Sequence, residues 1–445
     1  MYCDHCGTSI DSTSQFCGRC GRRIDGKAIA RELPSVSVAK RRSSPKLPII
    51  IIVLLIPLAF VAFFLFPLLS ADEISETRKI LSQAAQSAEA IEDPLSKALT
   101  LNEIGQVQVD ANDRFSALIT LGKARQAARQ AALEIKDDTT FAEIAASQAY
   151  AGDKASAEIA IKELLQLTLT GSAGSKANAT IHMAFIQAAM GDIPGALARL
   201  DGLRGSFDSY IGLRFLTGQL LRWRKTPEAL QVAKRIDDRV WKSDALNLIA
   251  IAQTKKGDRQ GAMVTFQQAL QAVDGLSDDP GKASLLLNIA AAQGEARDHT
   301  SALLTIQLAI KTGAEFREDR QKRELAVAYA NSGEMQKALT IISTIGKVDE
   351  KDIVLASIAV MQAQGGNVKE ALQTASKLAS AHWQENAFRG IAAAQANAGN
   401  VKAAIEWASK RTSLFSKANA LLGVAEGILE RKLARPSKRV TSIIP

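Results

Sequence analysis

The four cysteines are the residues whose spacing most clearly indicates chemistry. They form two Cys-x-x-Cys pairs, Cys3/Cys6 and Cys17/Cys20, which are separated by ten residues and are each followed directly by glycine. Two thiolates on one tight turn supply half of a tetrahedral metal site, and a second such turn completes a closed shell. A segment this short buries little apolar surface, so metal binding must supply most of its folding free energy. The pattern predicts one structural zinc ion bound by Cys3, Cys6, Cys17 and Cys20.

Residues 1–24 resemble the short zinc ribbons found at the N-termini of many bacterial proteins. Iron in the same four thiolates stays open as an alternative, because iron accepts this ligand set too. A redox dithiol fits less well, since that motif uses a single Cys-x-x-Cys within a βαβ fold. We expect His5 to be an exposed turn residue, because four better ligands are already present.

The remaining titratable residues do not form a recognisable catalytic set. His182, His299 and His382 are scattered over the sequence, and Gly171–Ser175 has neither the preceding strand nor the Lys-Ser/Thr of a phosphate-binding loop. The net charge is +9, but residues 1–46 hold nine Lys/Arg against four Asp/Glu, so the rest carries only +4. The sequence therefore predicts no enzyme, no cofactor besides zinc and no small-molecule substrate, and it makes nucleic acid an unexpected partner of the large domain.

Residues 47–71 form one uncharged, mostly apolar run. About 20 apolar residues in a helix span the hydrocarbon core of a bilayer, so this run predicts a transmembrane helix and a lipid bilayer as partner. A cleaved signal peptide fits less well, because the run begins only at Leu47 and exceeds the usual apolar core of such peptides. Residues 25–46 mix Ser, Pro and basic residues and read as a flexible linker.

The charges that flank this run predict its orientation. Lys40, Arg41 and Arg42 lie on its N-terminal side, whereas Asp72 and Glu73 follow it. Basic residues near a span favour the cytoplasmic side, and zinc thiolates also suit a reducing compartment. We therefore expect a single-pass protein of the bacterial inner membrane, with the N-terminus in the cytoplasm and the large domain in the periplasm.

From about residue 75 onward the sequence repeats itself. Each unit has a small residue in its first helix, followed by a turn residue. An alanine near the start of the second helix lies twelve positions after the small residue. The number of residues between one such alanine and the next is not constant. Four of these eight spacings are long, namely the first two and the two that follow Ala262, whereas the other four are shorter and equal. The alanines are Ala117, Ala157, Ala196, Ala229, Ala262, Ala302, Ala338, Ala371 and Ala404.

This pattern resembles the tetratricopeptide repeat, in which short helix pairs stack because one pair cannot bury its apolar face alone. The resemblance implies an all-α fold for residues 72–434, a right-handed α-solenoid of about nine helix-turn-helix repeats. Four long spacings, and the lack of most of the family's Trp and Pro positions, leave related helical-pair solenoids open. Residues 416–433 repeat the first helix once more and predict a capping helix with a polar outer face, followed by a disordered tail at 435–445.

The resemblance also implies a function in binding. Repeats of this kind hold a peptide or partner helix on the concave face that the first helices line. By alignment with the family, the candidate partner-binding residues are Asn247, Thr254, Lys255, Arg323, Asn331, Arg389 and Asn397. The sequence therefore predicts a membrane-anchored interaction scaffold or adaptor. The alternative is an envelope sensor or regulator whose zinc ribbon contacts nucleic acid or a cytoplasmic regulator.

Replacement of one predicted ligand tests the metal site. We expect Cys17→Ser to weaken zinc binding by the full chain at least about tenfold, because even changes outside the ligand shell cost that much. His5→Ala should leave the metal content unchanged. Elemental analysis of the purified variants measures both, and an intact zinc content in Cys17→Ser, or iron in place of zinc, would contradict the assignment.

Overall fold

The structure, a computed structural model, describes residues 73–135, 138–170, 173–277, 280–312 and 315–434. The chain divides into two compact parts, Met1–Phe66 and Pro67–Pro445, and every described residue belongs to the second. The predicted zinc ribbon, linker, membrane span and C-terminal tail lie outside the described residues. Within the described ranges, no helix has both the length and the apolar character needed to cross a bilayer.

The described residues form twenty helices and no strand, which confirms the predicted all-α repeat fold. Short turns join most of the helices. The first ten helices are α1 (73–89), α2 (Pro94–Asp110), α3 (Arg114–Ile135), α4 (Asp138–Ala151), α5 (Lys154–Thr170), α6 (Ala173–Ala189), α7 (Ile193–Asp201), α8 (Phe207–Arg222), α9 (Thr226–Lys234) and α10 (Arg239–Lys255). The others are α11 (Arg259–Asp274), α12 (Pro280–Glu295), α13 (His299–Lys311), α14 (Asp319–Asn331), α15 (Met335–Ser343), α16 (Val348–Gln364), α17 (Val368–Ala375), α18 (Ala381–Asn397), α19 (Val401–Ser409) and α20 (Leu414–Ala434).

Helices α2 to α19 form nine repeat units, each with a helix A followed by a helix B. The alanine that opens helix B is at most 2% exposed in every unit. The small residue of helix A is also buried in every unit, including Thr217, which replaces alanine in the fourth unit. In the first unit, a Cβ added to Gly105 would lie 2.6 Å from Leu121 Cγ, so the two helices approach closely there. Small residues at these positions therefore allow the tight packing that the sequence pattern predicts.

The residue that links helix A to helix B has a positive φ in all nine units. This conformation suits glycine, since a side chain there is strained by about 1 kcal/mol. Arg224 (φ 58°) and Arg297 (φ 61°) adopt it without being glycine. The other seven are Asn112, Gly152, Gly191, Gly257, Gly333, Gly366 and Gly399.

An aspartate after this turn starts helix B in five units. In the fifth unit, for example, the Gly261 backbone N–H donates to Asp258 Oδ1 at 2.9 Å, while the Asp258 backbone N–H donates to the Gln253 carbonyl at 2.9 Å. One residue thus satisfies a free donor of helix B and a free carbonyl of helix A. The five aspartates are Asp113, Asp153, Asp192, Asp258 and Asp298.

The extra residues of the long repeats lengthen helix B. In the four units that are followed by a long spacing, helix B has 22, 17, 16 and 13 residues (α3, α5, α11 and α13). In the other five units it has eight or nine residues. The turn between the two helices keeps its conformation in all units, so the length variation is absorbed on the helix B side.

The two ends of the array pack against each other. Leu81 of α1 and Leu421 of α20 are both fully buried in the same apolar cluster. Next to it, the Arg431 side chain donates to Glu73 Oε1 at 3.0 Å and connects α20 to α1 across 358 residues of sequence. The described array therefore closes on itself.

Helices α1 and α20 complete each other as a tenth unit. Helix α20 repeats helix A, because its Ala425 follows Ala392 at the same spacing as Ala392 follows Ala359, but no described helix B follows it. Helix α1 lies beside α3 as one helix B lies beside the next. Its Glu89 pairs with Lys123, 34 residues away, at 2.5 Å. In the same way, Asp201 of α7 pairs with Arg235, which directly follows α9 and is also 34 residues away, at 2.6 Å. Each helix supplies the neighbour that the other lacks.

The prediction of a polar outer face for the last helix is wrong. Helix α20 is buried on nearly all sides, because one face packs on α18 while the opposite face packs on α1 and α2. The contact with α18 is so close that a Cβ on Gly427 would lie 2.1 Å from the Ala393 carbonyl oxygen. Between residues 416 and 431, every residue of α20 is buried except the charged Lys417, Glu426, Glu430 and Arg431, which are partly exposed. Its buried apolar residues are Ala418, Ala420, Leu421, Leu422, Val424, Ala425, Ile428 and Leu429.

Glycine at the strained arginine position of the sixth unit should stabilise the fold. We expect Arg297→Gly to raise the free energy of unfolding by about 0.5–1 kcal/mol, because the exposed Arg297 side chain is strained at its positive φ. Arg224→Gly serves as the matched comparison, since it gives the same backbone relief but removes an ion pair to Asp110. Thermal unfolding of both variants measures the difference, and a lower melting temperature for Arg297→Gly would contradict the strain argument.

Candidate functional site

A charged cavity of about 320 Å³ lies where five helices from distant parts of the array meet. Helices α2, α8, α10, α18 and α20 supply most of its lining, so it exists only because the array is closed. Units 1, 4, 5 and 9 and the closing helix all contribute to it. Its charged lining residues are Glu103, Asp110, Arg222, Arg224, Lys255, Lys256, Arg389, Glu426 and Glu430.

Arg389 connects three of these helices. Its guanidinium binds both carboxylate oxygens of Glu426 on α20, at 3.0 and 2.6 Å, and also donates to Glu103 on α2. Two parallel hydrogen bonds of this kind fix the geometry of an arginine–carboxylate pair. Burial alone would lower the pKa of Arg389, but Glu426 and Glu103 outweigh it and raise the pKa. The guanidinium is therefore permanently charged and holds α2, α18 and α20 together.

Arg224 makes the second bridge across the cavity. From the turn after α8, its Nε donates to Asp110 Oδ2 at 3.0 Å, which links the fourth unit to the first across 114 residues of sequence. The Tyr150 ring stacks on Trp223 at 5.6 Å, and its hydroxyl lies 3.3 Å from Asp110 Oδ1. Burial raises the pKa of Asp110, although Arg224 lowers it in part. The strained backbone of Arg224 is thus held in place by a polar contact at the site.

Glu430 differs from the other acids of the cavity. It is half-buried on α20, and within the described ranges no ion pair or hydrogen bond involves its side chain. Burial raises the pKa of Glu430, and the nearby positive charge of Lys255 only partly offsets this effect. A carboxylate in this position has no charge-neutralising contact of its own.

The seven predicted partner-binding residues do not form one surface. Lys255 and Arg389 both line the cavity. Asn247 and Asn331 are buried, and each donates an amide hydrogen bond to a backbone carbonyl in a neighbouring unit, of Asn288 at 3.3 Å and Ala291 at 3.0 Å respectively. These two asparagines thus join adjacent repeats.

The other three predicted residues lie apart from the cavity lining. Arg323 pairs with Glu350 at 2.9 Å and with Glu324 at 3.2 Å. The Thr254 hydroxyl donates to the carbonyl four residues earlier in its own helix, at 3.0 Å. Asn397 is exposed at the end of α18.

The sequence analysis missed the acids of the cavity and Arg224. The acids come from α2 and α20, which lie at opposite ends of the sequence, so no local pattern brings them together. One signal was present, because arginine occupies the turn position of the fourth unit where most units have glycine. No group of three or more His, Cys, Asp or Glu side chains in the described part of the chain is placed to hold a metal ion.

Comparison with known proteins identifies one domain. Residues 2–24 match the family model of the zinc-ribbon domain, and all four cysteines fall within the matched segment. This match confirms the predicted N-terminal zinc ribbon and supports zinc binding there. No curated protein matches the chain significantly.

Among solved structures, the crystal structure of Ton1535 from Thermococcus onnurineus NA1 is similar to this chain. The likeness covers 72% of this chain and 99% of that chain, at 14% sequence identity and a TM-score of 0.25.

Neutralising the unpaired acid should change how stability depends on pH. The pKa of Glu430 is raised in the folded state, so the folded chain holds the proton more tightly than the unfolded chain does. Its contribution to stability is therefore greatest below the ordinary glutamate pKa of about 4.3 and is lost as the pH rises through the raised value. We expect Glu430→Gln to melt at a higher temperature than the unaltered chain at neutral pH, with the difference shrinking at acidic pH.

Glu406→Gln is the matched control for this measurement. Glu406 is exposed, and a hydrogen bond from Lys410 lowers its pKa, so its contribution has the opposite sign. Melting curves of both variants over a pH series give the comparison. A Glu430→Gln variant that is less stable than the unaltered chain at neutral pH would show that the carboxylate is compensated after all.

Proposed function

We propose that the chain is an interaction scaffold anchored in the bacterial inner membrane. In this proposal the helical repeat domain binds a peptide or protein partner in the periplasm. The predicted span at residues 47–71 holds the domain at the membrane, and the zinc ribbon lies in the cytoplasm with one structural zinc ion held by Cys3, Cys6, Cys17 and Cys20. The similarity of the repeat units to tetratricopeptide repeats supports binding as the task of the domain.

The charged cavity is the main observation that supports the proposal. Helix A residues of several units turn their charged side chains toward one place, and two of the predicted partner-binding residues, Lys255 and Arg389, are among them. Most of the acids there are held in ion pairs with arginine. Such pairs provide fixed positions for charge recognition, whereas proton transfer or nucleophilic attack needs a free, activated group. The three paired acids therefore fit binding better than catalysis.

The two cavity residues differ in how accessible they are. Arg389 is 24% exposed and fully engaged with two carboxylates, so a partner would have to displace those carboxylates to reach it. Lys255 is exposed, and no ion pair is recorded for it among the described residues. We therefore propose that partner contacts centre on the Lys255 side of the cavity, and that Arg389 keeps the cavity in shape.

Site-specific photo-crosslinking in intact cells tests this proposal. We expect a photoreactive residue at position 255 of the full chain to give a discrete crosslinked product, because a partner at the cavity would lie within reach of it. The same residue at position 397, which is exposed at the far end of α18, tests the other accessible prediction. Position 410, an exposed lysine on α19's C-terminal side, serves as the background control.

The crosslinking pattern at the three positions distinguishes the possible partner sites. A product at position 255 that is absent at position 410 supports a partner site at the cavity. A product at 397 but not at 255 would move the site elsewhere on the domain. The absence of any product above background at both positions would overturn the scaffold proposal.

A further inference from the structure

The cavity has walls of opposite charge. Its acids, Glu103, Asp110, Glu426 and Glu430, all come from α2 and α20. Its cations Arg222, Arg224, Lys255 and Lys256 come from α8, α10 and the turns that follow them. Arg389 is the exception, since it lies among the acids and neutralises two of them. A ligand in this cavity would therefore meet negative charge on one side and positive charge on the other.

The internal ion pairs leave an unpaired charge on each wall. On the acidic wall, Glu103 and Glu426 are bound by Arg389, and Asp110 is bound by Arg224. This leaves Glu430, for which no ion pair is recorded within the described ranges.

On the basic wall, three exposed cations are left over. Among the described residues, no ion pair or side-chain hydrogen bond is recorded for Arg222, Lys255 or Lys256. The residual pattern is one half-buried carboxylate opposite a group of cations. The two walls balance each other only in part, since Lys255 and Arg224 lower the pKa of Glu430 but do not outweigh the effect of its burial.

Two further features fit a small polar ligand with an apolar side chain. Helix α9 begins at the cavity with Thr226, and the preceding Lys225 provides no side-chain cap, so the Thr226 backbone N–H adds to the positive side, whereas the next residue, Pro227, has no N–H. Val107, Leu221 and Leu429 line the same cavity and provide aliphatic surface. The volume of about 320 Å³ is at the lower end of the range for small-molecule sites.

We propose that this cavity binds a small zwitterion, a free amino acid or dipeptide with an aliphatic side chain. Its ammonium group binds Glu430, its carboxylate lies among Lys255, Lys256 and Arg222, and its side chain contacts Leu221 and Leu429. The ligand supplies the missing counter-charge to both walls at once. This inference goes beyond the scaffold function and does not depend on it, because it requires neither a protein partner nor a membrane.

Calorimetric titration of the purified full chain with matched ligands tests the inference. The probes are L-leucine and the dipeptide alanyl-leucine, together with N-acetyl-L-leucine, which lacks the ammonium group, and L-leucinamide, which lacks the carboxylate. We expect at least one of the two zwitterions to bind, and each blocked leucine to bind about tenfold or more weakly than its parent, because each loses one charged hydrogen-bonded contact.

Two variants assign the contacts. Glu430→Gln should weaken binding of the zwitterion about tenfold or more while leaving the weak binding of N-acetyl-L-leucine unchanged, because only the ammonium contact is lost. Lys410→Gln removes an exposed charge that does not line the cavity and should leave all affinities unchanged. Circular dichroism confirms that both variants are folded.

Three results would overturn the inference. The first is no binding of either zwitterion at millimolar concentration. The second is equal binding of zwitterions and blocked analogues, which would mean that only the apolar side chain is recognised. The third is tight binding of N-acetyl-L-leucine that is insensitive to Glu430→Gln, which would make the cavity a plain anion site. None of these results bears on the crosslinking test of the scaffold proposal.

Discussion

The need to cover the apolar faces of stacked helix pairs governs this structure. A helix pair in the middle of an array is covered by a neighbour on each side, but the two ends have one neighbour each. In many repeat proteins a polar terminal helix solves this problem. Here α20 and α1 solve it by covering each other, with Leu81 and Leu421 in one buried cluster and an ion pair from Arg431 to Glu73 beside it.

The closure of the array also creates the charged cavity. Because α2 and α20 are brought together, four acids that are far apart in sequence line one side of a single cavity. Four acids in one place would repel one another, and the bridges from Arg389 and Arg224 offset that repulsion. The same arginines hold the first unit against the fourth and the ninth. Support of the closed array therefore occupies three of the four cavity acids, and this leaves Glu430 and the basic wall as the groups that the proposed ligand would contact.

Local sequence patterns predicted the repeat units well, because each unit depends on short-range features. The buried alanines, the turn residues with positive φ and the two-helix units all follow from a spacing of twelve positions between the small residue and the alanine. The zinc ribbon is equally local, and the family match confirms it. The closure could not be predicted in this way, since Arg389 and Glu103 are 286 residues apart. Lys255 and Arg389 were chosen as surface residues, but the acids that make their surroundings a site were missed for the same reason.

Closure constrains how such a domain can change over time. An open array tolerates duplication or deletion of single repeats, since the new end units meet solvent as the old ones did. In this array, loss or gain of one pair would separate α1 from α20 and uncover apolar surface at two places at once. The requirement that α1 and α20 meet therefore sets the number of helix pairs. Helix B, in contrast, differs in length between units, from 8 to 22 residues, and the array still closes.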